Sequence, residues 1–139
     1  MIKCEVLPRG LLPTRAEGDA GFDLYMPDGE CIKAGKTKTV PLAIKLELPP
    51  GHFGLIKARS SIFEKGVNIC GVIDEIFRGE ISVMIQVLPK QGKDKFFCWA
   101  DGDRLAQLLV IPYYQGGITD HTDLSFTKRG SDGFGSTGR

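Results

Sequence analysis

Leu42-Ala43-Ile44-Lys45-Leu46-Glu47-Leu48 places an aliphatic side chain at every second position, and Ile81-Ser82-Val83-Met84-Ile85-Gln86-Val87 repeats the pattern with Ile81, Val83, Ile85 and Val87. Successive side chains of a strand point to opposite faces, so a period of two describes strands with one face buried. Working outward, further candidate strands occupy residues 3–7, 21–26, 37–40, 53–57, 67–73, 95–99 and 105–112. Glycine and proline interrupt the chain so often that the longest run free of both, residues 118–129, is only 12 residues long, which excludes long helices. Many short strands at even spacing predict an all-β fold, a distorted barrel or jelly roll.

The chain has 139 residues, 42% hydrophobic and 25% charged, the size of one domain with a single core. A single domain over residues 1–139 is therefore expected. The formal net charge is +1 with acids and bases interspersed, which excludes a broad basic face for nucleic acid. The start, MIKCEVLPRG, lacks the apolar core of a signal peptide, and no apolar run is long enough to span a bilayer. The expectation is a soluble intracellular or cytoplasmic protein with neither nucleic acid nor membrane as partner. Cys4, Cys31, Cys70 and Cys98 form no C-x-x-C pair, so reduced, buried thiols are expected rather than a zinc site or a disulfide framework.

Several constellations carry chemistry. Ser61 and Glu64 have the spacing of a capping box, with Gly66 as a stop, which predicts one short helical turn. Preceded by Arg59 and Ser60, that turn also has the composition of an anion site. Asp74 follows an apolar strand, and Val72, Ile73 and Ile76 are placed to desolvate it. Desolvation raises a carboxyl pKa from its reference of about 3.9 toward values suited to a general base. Asp74 is the best base in the chain, because His52 and His121 sit in polar contexts without a nucleophile beside them. Asp103 and Arg104 read as turn or ion-pair residues. Gln107, polar among apolar neighbours, should hydrogen-bond something buried or face solvent.

The C-terminus contains Gly133-Phe134-Gly135-Ser136-Thr137-Gly138, the spacing G-x-G-x-x-G. A dinucleotide-binding turn needs a following helix and a later acid, and the sequence leaves room for neither, so that reading fails. What remains is a strip of backbone N–H groups with the Ser136 and Thr137 hydroxyls and the Arg129 guanidinium, suited to wrapping a polyphosphate under Phe134. Alone, so glycine-rich a segment should be mobile.

Taken in order, AGFDLY at Ala20, ARSSIFEKG at Ala58, GVIDEIFRGE at Gly71, GDRLAQLLV at Gly102 and RGSDGFGSTG at Arg129 resemble the motifs of the trimeric dUTPases. The resemblance covers nearly the whole chain. It implies a β-clip or jelly-roll subunit with a core over residues 1–128 and a lid over 129–139. It also implies a homotrimer with active sites between subunits, and hydrolysis of dUTP to dUMP and pyrophosphate with Mg2+. That reaction keeps uracil out of DNA and supplies dUMP for thymidylate synthesis. Asp74 falls on the catalytic aspartate that activates water against the α-phosphorus. Arg59, Ser60 and Ser61 fall on the second motif's phosphate-binding element, and Gln107 on the fourth motif's phosphate-side glutamine. Phe77 falls on the usual tyrosine that packs on the deoxyribose. Asn68, Gly71, Val72 and Ile73 fall on the hairpin that reads uracil. Arg129, Phe134, Gly135, Ser136 and Thr137 fall on the lid, where the aromatic stacks on uracil and the rest hold the β- and γ-phosphates. Asp23 falls in a shell supporting the metal and phosphates, with Mg2+ held mainly by the triphosphate and water rather than directly by side chains.

The chain departs from the family pattern at Phe77, which lacks a hydroxyl, at Ile76, where many members carry an acid, and at Asp132, which replaces a frequent glycine. The interval from Arg59 to Asp74 is short, which suggests a trimmed uracil hairpin. The related dCTP deaminases need a glutamate near Met84, and residues 81–88 contain none. A regulatory protein partner is compatible with the resemblance as an additional role, and a viral source is compatible with it too.

Overall fold

The computed structural model of the chain describes residues 1–92, 95–133 and 135. Phe134, Ser136 and Thr137 lie outside the described residues. The elements are β1 (Lys3–Val6), β2 (Phe22–Tyr25), β3 (Glu30–Lys33), β4 (Thr37–Glu47), β5 (His52–Ala58), α1 (Ser60–Phe63), β6 (Val67–Ile73), β7 (Glu80–Val87), β8 (Phe96–Trp99) and β9 (Arg104–Pro112). The fold is all-β, as the sequence pattern requires. A seven-stranded antiparallel sheet runs in the order β1-β4-β7-β6-β5-β9-β2, and β3 pairs with β8 as a separate ribbon.

The period-two stretches form the centre. Val40, Leu42, Ile44, Leu46 and Leu48 are buried along β4 and its end, and Ile81, Val83, Ile85 and Val87 along β7. Burying each such aliphatic side chain contributes about 1.5–3 kcal/mol. The candidate strands 37–40 and 42–48 prove to be one strand with a bulge. Between Pro41↔Ser82 and Lys45↔Glu80, four steps of β4 face two of β7. The even excess keeps the alternation in phase, so the inward face is preserved while the sheet bends. Curling brings the outer strands together: Cys4 of β1 and Phe22 of β2 line one apolar crevice of ≈ 200 Å³. The β3–β8 ribbon adds Ile32, Phe97 and Trp99 to the same core, and Trp99 Nε1 donates to the Asp28 carbonyl at 2.8 Å. No helix among the described residues is long and apolar enough to cross a membrane.

Two expectations are corrected. The capping box does not form: Arg59 is the N-cap at φ −65° and ψ 148°, without a side-chain cap bond, and Ser61 lies inside α1. The reason is tertiary, since the Arg59 amide donates to the Leu105 carbonyl at 3.0 Å and extends the β5–β9 ladder to that residue. The stop at Gly66 does hold, at φ +80°. β6 has 7 residues, and α1 with the turn after it fills the interval between Arg59 and that strand.

The cysteines are not all reduced and buried. Cys31 and Cys98 face each other across the ribbon with Cα atoms 4.1 Å apart and form an exposed disulfide, while Cys4 and Cys70 are free and half-buried. Cross-strand pairing holds the two thiols within bonding reach although they lie 67 residues apart in sequence, a proximity no local spacing reveals. Closing a loop of that length limits the unfolded chain by up to about 4 kcal/mol in the chain-entropy model. Thermal unfolding with and without a thiol reductant should therefore show a lower Tm in reductant, and Cys31→Ser should start low and lose the dependence on reductant. An equal Tm under both conditions in the unaltered chain would contradict a stabilising bridge.

Candidate active site

β9 is paired on both edges, and its register builds a polar cleft. Gln107 stands level with Asp23 of β2 on one side and Lys57 of β5 on the other, while Ala106 is level with Ala58, the last residue before Arg59. Asp19, Asp23, Arg59, Ser60, Arg104 and Gln107 accordingly line a single polar cleft of ≈ 320 Å³. Asp23 spans its two arginines, with Oδ1 3.4 Å from Arg59 Nε and Oδ2 accepting from Arg104 Nη1 at 3.2 Å. Arg59 Nη1 donates in turn to the Arg104 carbonyl at 3.1 Å. Gln107 Nε2 donates to the Ala58 carbonyl at 3.4 Å, and its amide lies over Gly21, where a Cβ would stand 2.9 Å from Oε1. Glycine at 21 is what lets the amide occupy that place. Two guanidinium groups, a hydroxyl and an amide converge on one concavity, a donor set whose chemistry suits an anion. The ion pairs are partly exposed and individually weak, so they orient the guanidinium groups more than they stabilise the fold.

Asp74 lies elsewhere. It lines a second cleft of ≈ 470 Å³ with Phe53, Val72, Glu75, Ile76 and Tyr113. The expected desolvation is absent within one subunit: Asp74 is exposed, and Val72 and Ile76 expose 66% and 85% of their surface instead of covering it. Such side chains, lying outside the inward face of the sheet, cannot pack over a carboxylate without another surface against them. Beyond Asp74 the chain turns, with the Phe77 amide donating to the Asp74 carbonyl at 3.0 Å. The Phe77 ring lies over Gly79, where a Cβ would come within 2.6 Å of Cζ. Glu75 accepts the Tyr113 hydroxyl at 2.6 Å. That bond, aided by the Gly51 backbone, holds the Glu75 carboxyl below the usual carboxylate range and raises the Tyr113 phenol above its own. A depressed carboxyl pKa means the contact is complete above the ordinary carboxylate pKa and is lost only as pH falls through the lowered value.

The two clefts do not meet in the subunit. Ile73 pairs with Gly54, which puts Asp74 beside Phe53, whereas Arg59 is six residues further along β5 and its extension. At about 3.3 Å per residue the separation approaches 20 Å. Asn68, paired with Gln86, is equally far from Asp74 along β6, so the expected base-reading residues are spread along the strand. Past Cys70↔Met84, β6 pairs only with β5, which leaves the β7-facing backbone edge of Gly71, Val72 and Ile73 without a ladder partner. Ser60 lines the anion cleft; Ser61 is exposed on α1 and does not. Arg129 is not in either cleft: its guanidinium donates to the carbonyls of its own tail, Asp132 at 2.8 Å and Gly133 at 3.2 Å. Gly135 has φ +79°, a conformation that favours glycine.

Sequence reasoning read Arg104 as a turn or ion-pair residue, and it does pair with Asp23, but it passed over Asp19, Glu75 and Tyr113. Arg104 reaches the side of Gln107, three residues on, through the irregularity in the β2–β9 pairing between Leu24 and Tyr25, which no local spacing reveals. Tyr113 carried no signal, since its partner is 38 residues away in sequence.

A dUTPase family model matches residues 9–138 of this chain. The chain is 38% identical over 133 residues to a deoxyuridine 5'-triphosphate nucleotidohydrolase of Clostridium kluyveri, covering 92% of this chain and 90% of that protein. It is 38% identical over 127 residues to the protein of the same name from Anaeromyxobacter sp., covering 88% and 84%. It is also 35% identical over 130 residues to a Pol polyprotein of ovine maedi visna related virus, covering 93% of this chain but only 12% of the polyprotein. The dUTPase of Staphylococcus bacteriophage 80alpha, solved with dUPNHPP, superposes with a TM-score of 0.89 at 21% identity over 100% of this chain and 99% of that one. A mutant dUTPase from phage phi11 of S. aureus, whose structure reveals the coordination of a structural Mg(II) ion, has a TM-score of 0.80 at 19% identity, covering 91% and 99%. With the family model and these relatives in agreement, the chain belongs to the dUTPase family of enzymes.

Proposed function

We propose that this chain is a dUTP diphosphatase acting as a homotrimer, in which the Arg59 cleft of one subunit and the Asp74 cleft of another form each active site. The observation that carries the reading is the pair of half-sites held about 20 Å apart by β5. A nucleoside triphosphate cannot engage both within one subunit, and each half lacks what the other has. Exposed Tyr114, Ile118, Leu124 and Phe126, on a segment without strand or helix after β9, support a second subunit as their cover.

In this assignment Asp74 takes a proton from water, whose oxygen attacks the α-phosphorus. The bond from that phosphorus to the bridging oxygen breaks, and pyrophosphate leaves with dUMP as the other product. Arg59, Ser60 and Gln107 hold the phosphates, and their charge and dipoles are set before the nucleotide arrives, so little reorganisation accompanies the reaction. Asp23 keeps Arg59 and Arg104 aimed into the cleft. Phe77 packs on the deoxyribose and excludes a ribose 2′-hydroxyl by its ring alone. The free backbone edge at Gly71, Val72 and Ile73, with Asn68, reads uracil. Arg129, Phe134, Gly135, Ser136 and Thr137 close over the base and the β- and γ-phosphates, a role resting on the resemblance of that segment to the family's fifth motif.

Mg2+ fits this chain as a companion of the substrate. Both Asp23 oxygens face arginines, and no group of three or more potential ligands occurs among the described residues, so Asp19 and Asp23 suit a water-mediated, supporting role. Bound with the triphosphate, the ion would offset charge on the phosphate oxygens.

Pyrophosphate release from dUTP, dCTP, dTTP and UTP, measured side by side with Mg2+, should occur with dUTP alone. Asp74→Asn should abolish it while nucleotide binding persists, because the amide keeps the shape but cannot take a proton. Severe loss of binding would sink the general-base assignment, and equal release from UTP would sink the steric role of Phe77.

Shared sites make a second prediction. Asp74→Asn and Arg59→Ala subunits, each inactive alone, should recover about a quarter of wild-type activity per site when refolded together at equal amounts, since one site in four then draws both intact residues. No recovery in confirmed mixed oligomers would mean that each subunit carries its whole site.

A further inference from the structure

The residues between Ile73, the end of β6, and Glu80, the start of β7, belong to no strand or helix. They nevertheless carry Asp74 and Phe77. Holding each such residue in one conformation costs about 1–2 kcal/mol of backbone entropy, so the loop needs ties. Asp74 supplies little itself: among the described residues its carboxylate makes no hydrogen bond or ion pair, and only its carbonyl is engaged, by the Phe77 amide.

Two neighbours supply the ties. Arg78 Nη1 donates to the carbonyls of Glu75 at 2.8 Å and Phe77 at 3.1 Å, closing the turn from inside. Its Nε lies 3.7 Å from Glu47 of β4, which also holds Lys3 of β1 at 3.0 Å. On the other side Glu75 accepts the Tyr113 hydroxyl at 2.6 Å. Tyr113 is itself fixed, its amide donating to the Gly51 carbonyl at 3.2 Å and its ring edge-on to Phe53 with centroids 6.1 Å apart. A continuous chain of contacts thus runs from β1 and β4, through the loop, to the end of β9.

Resting on the assignment of Asp74 as base, we propose that Glu75 and Arg78 are positioning residues that fix the direction of the Asp74 carboxylate, with Tyr113 as the anchor of Glu75. Neither needs to touch the nucleotide. The exposed Glu47 tie is the weak member. The bond from Tyr113 to the Glu75 carboxylate is short and charge-assisted, and the fork onto two carbonyls suits a planar guanidinium that lysine does not reproduce. Tyr113→Phe is the cleanest probe, because it removes one hydroxyl and leaves the ring on Phe53.

The test measures steady-state pyrophosphate release from dUTP by the full chain carrying Tyr113→Phe, Arg78→Lys, Glu75→Ala or Glu75→Gln, together with hydrogen exchange of the Phe77 amide. Because a displacement of about 1 Å at a reacting group can cost a hundredfold, Tyr113→Phe and Arg78→Lys should lower kcat about tenfold with KM within about twofold. Glu75→Ala should do the same. Glu75→Gln keeps an acceptor for Tyr113 but loses the charge, so its kcat should fall between those of Glu75→Ala and the unaltered chain, and Phe77 exchange should quicken in step with the loss of kcat across the variants. Wild-type kcat in Tyr113→Phe and Arg78→Lys, a loss confined to KM, or unchanged Phe77 exchange would overturn the proposal. Turnover retained in Asp74→Asn would instead refute the base, and quickened Phe77 exchange in the brace variants would then separate that failure from a failure of the ties.

Discussion

β9 is hydrogen-bonded along both edges, to β5 from His52↔Pro112 to Ala58↔Ala106 and to β2 from Phe22↔Leu108 to Tyr25↔Arg104. Ala106 and Leu108 face the core from this strand while Gln107 between them faces the cleft. A slip of one residue in either pairing would send Gln107 into the apolar interior and Leu108 out. The apolar alternation therefore fixes the polar site as firmly as it fixes the core. Asp23, Gln107 and Arg59 need no attraction for one another to assemble; the register delivers them to one place, and their mutual contacts then set orientation.

The charges in that cleft suit a ligand that is absent during folding. Two arginines against Asp23 alone are incompletely satisfied, and Asp19 lines the same concavity. A fully buried pair would carry a large desolvation penalty, whereas these groups remain partly in water and, on the proposed reading, give it up only to a polyphosphate. Partial exposure keeps the site both stable in the free chain and free to exchange one anionic partner for another.

Much of the fold was legible because its signal is local. Alternation in residues 42–48 and 81–87 marks the inward faces of β4 and β7 without knowledge of their partners. β3, with Glu30, Cys31, Ile32 and Lys33, carries a single buried residue, Ile32, which is too little alternation to read. The capping box failed because the Arg59 amide is claimed by β9, a contact 46 positions away in sequence. The disulfide was illegible for the same reason, since only the pairing of β3 with β8 brings Cys31 to Cys98. Arg59, Gln107, Asp23 and Asp74 were legible as types of residue in suitable motifs, but their division between two clefts follows from the length of β5, which no motif states.

That division explains the most consequential misreading, the desolvated environment expected around Asp74. Val72 and Ile76 do stand beside it, but they face outward and leave the carboxylate in water. If Asp74 is the base, as proposed, it gains apolar surroundings only when another surface covers Val72, Ile76 and Phe77 together. The same event would bring up the phosphate-binding half that the Asp74 cleft lacks. On the proposed reading, then, burial of the base and completion of the phosphate site are a single step. In that reading assembly would do more than bring residues together: it would supply the low-dielectric surroundings in which a carboxylate and two guanidinium groups act strongly on a triphosphate. A lone subunit would be folded, charged and oriented in each half-site, and still unable to carry out the reaction.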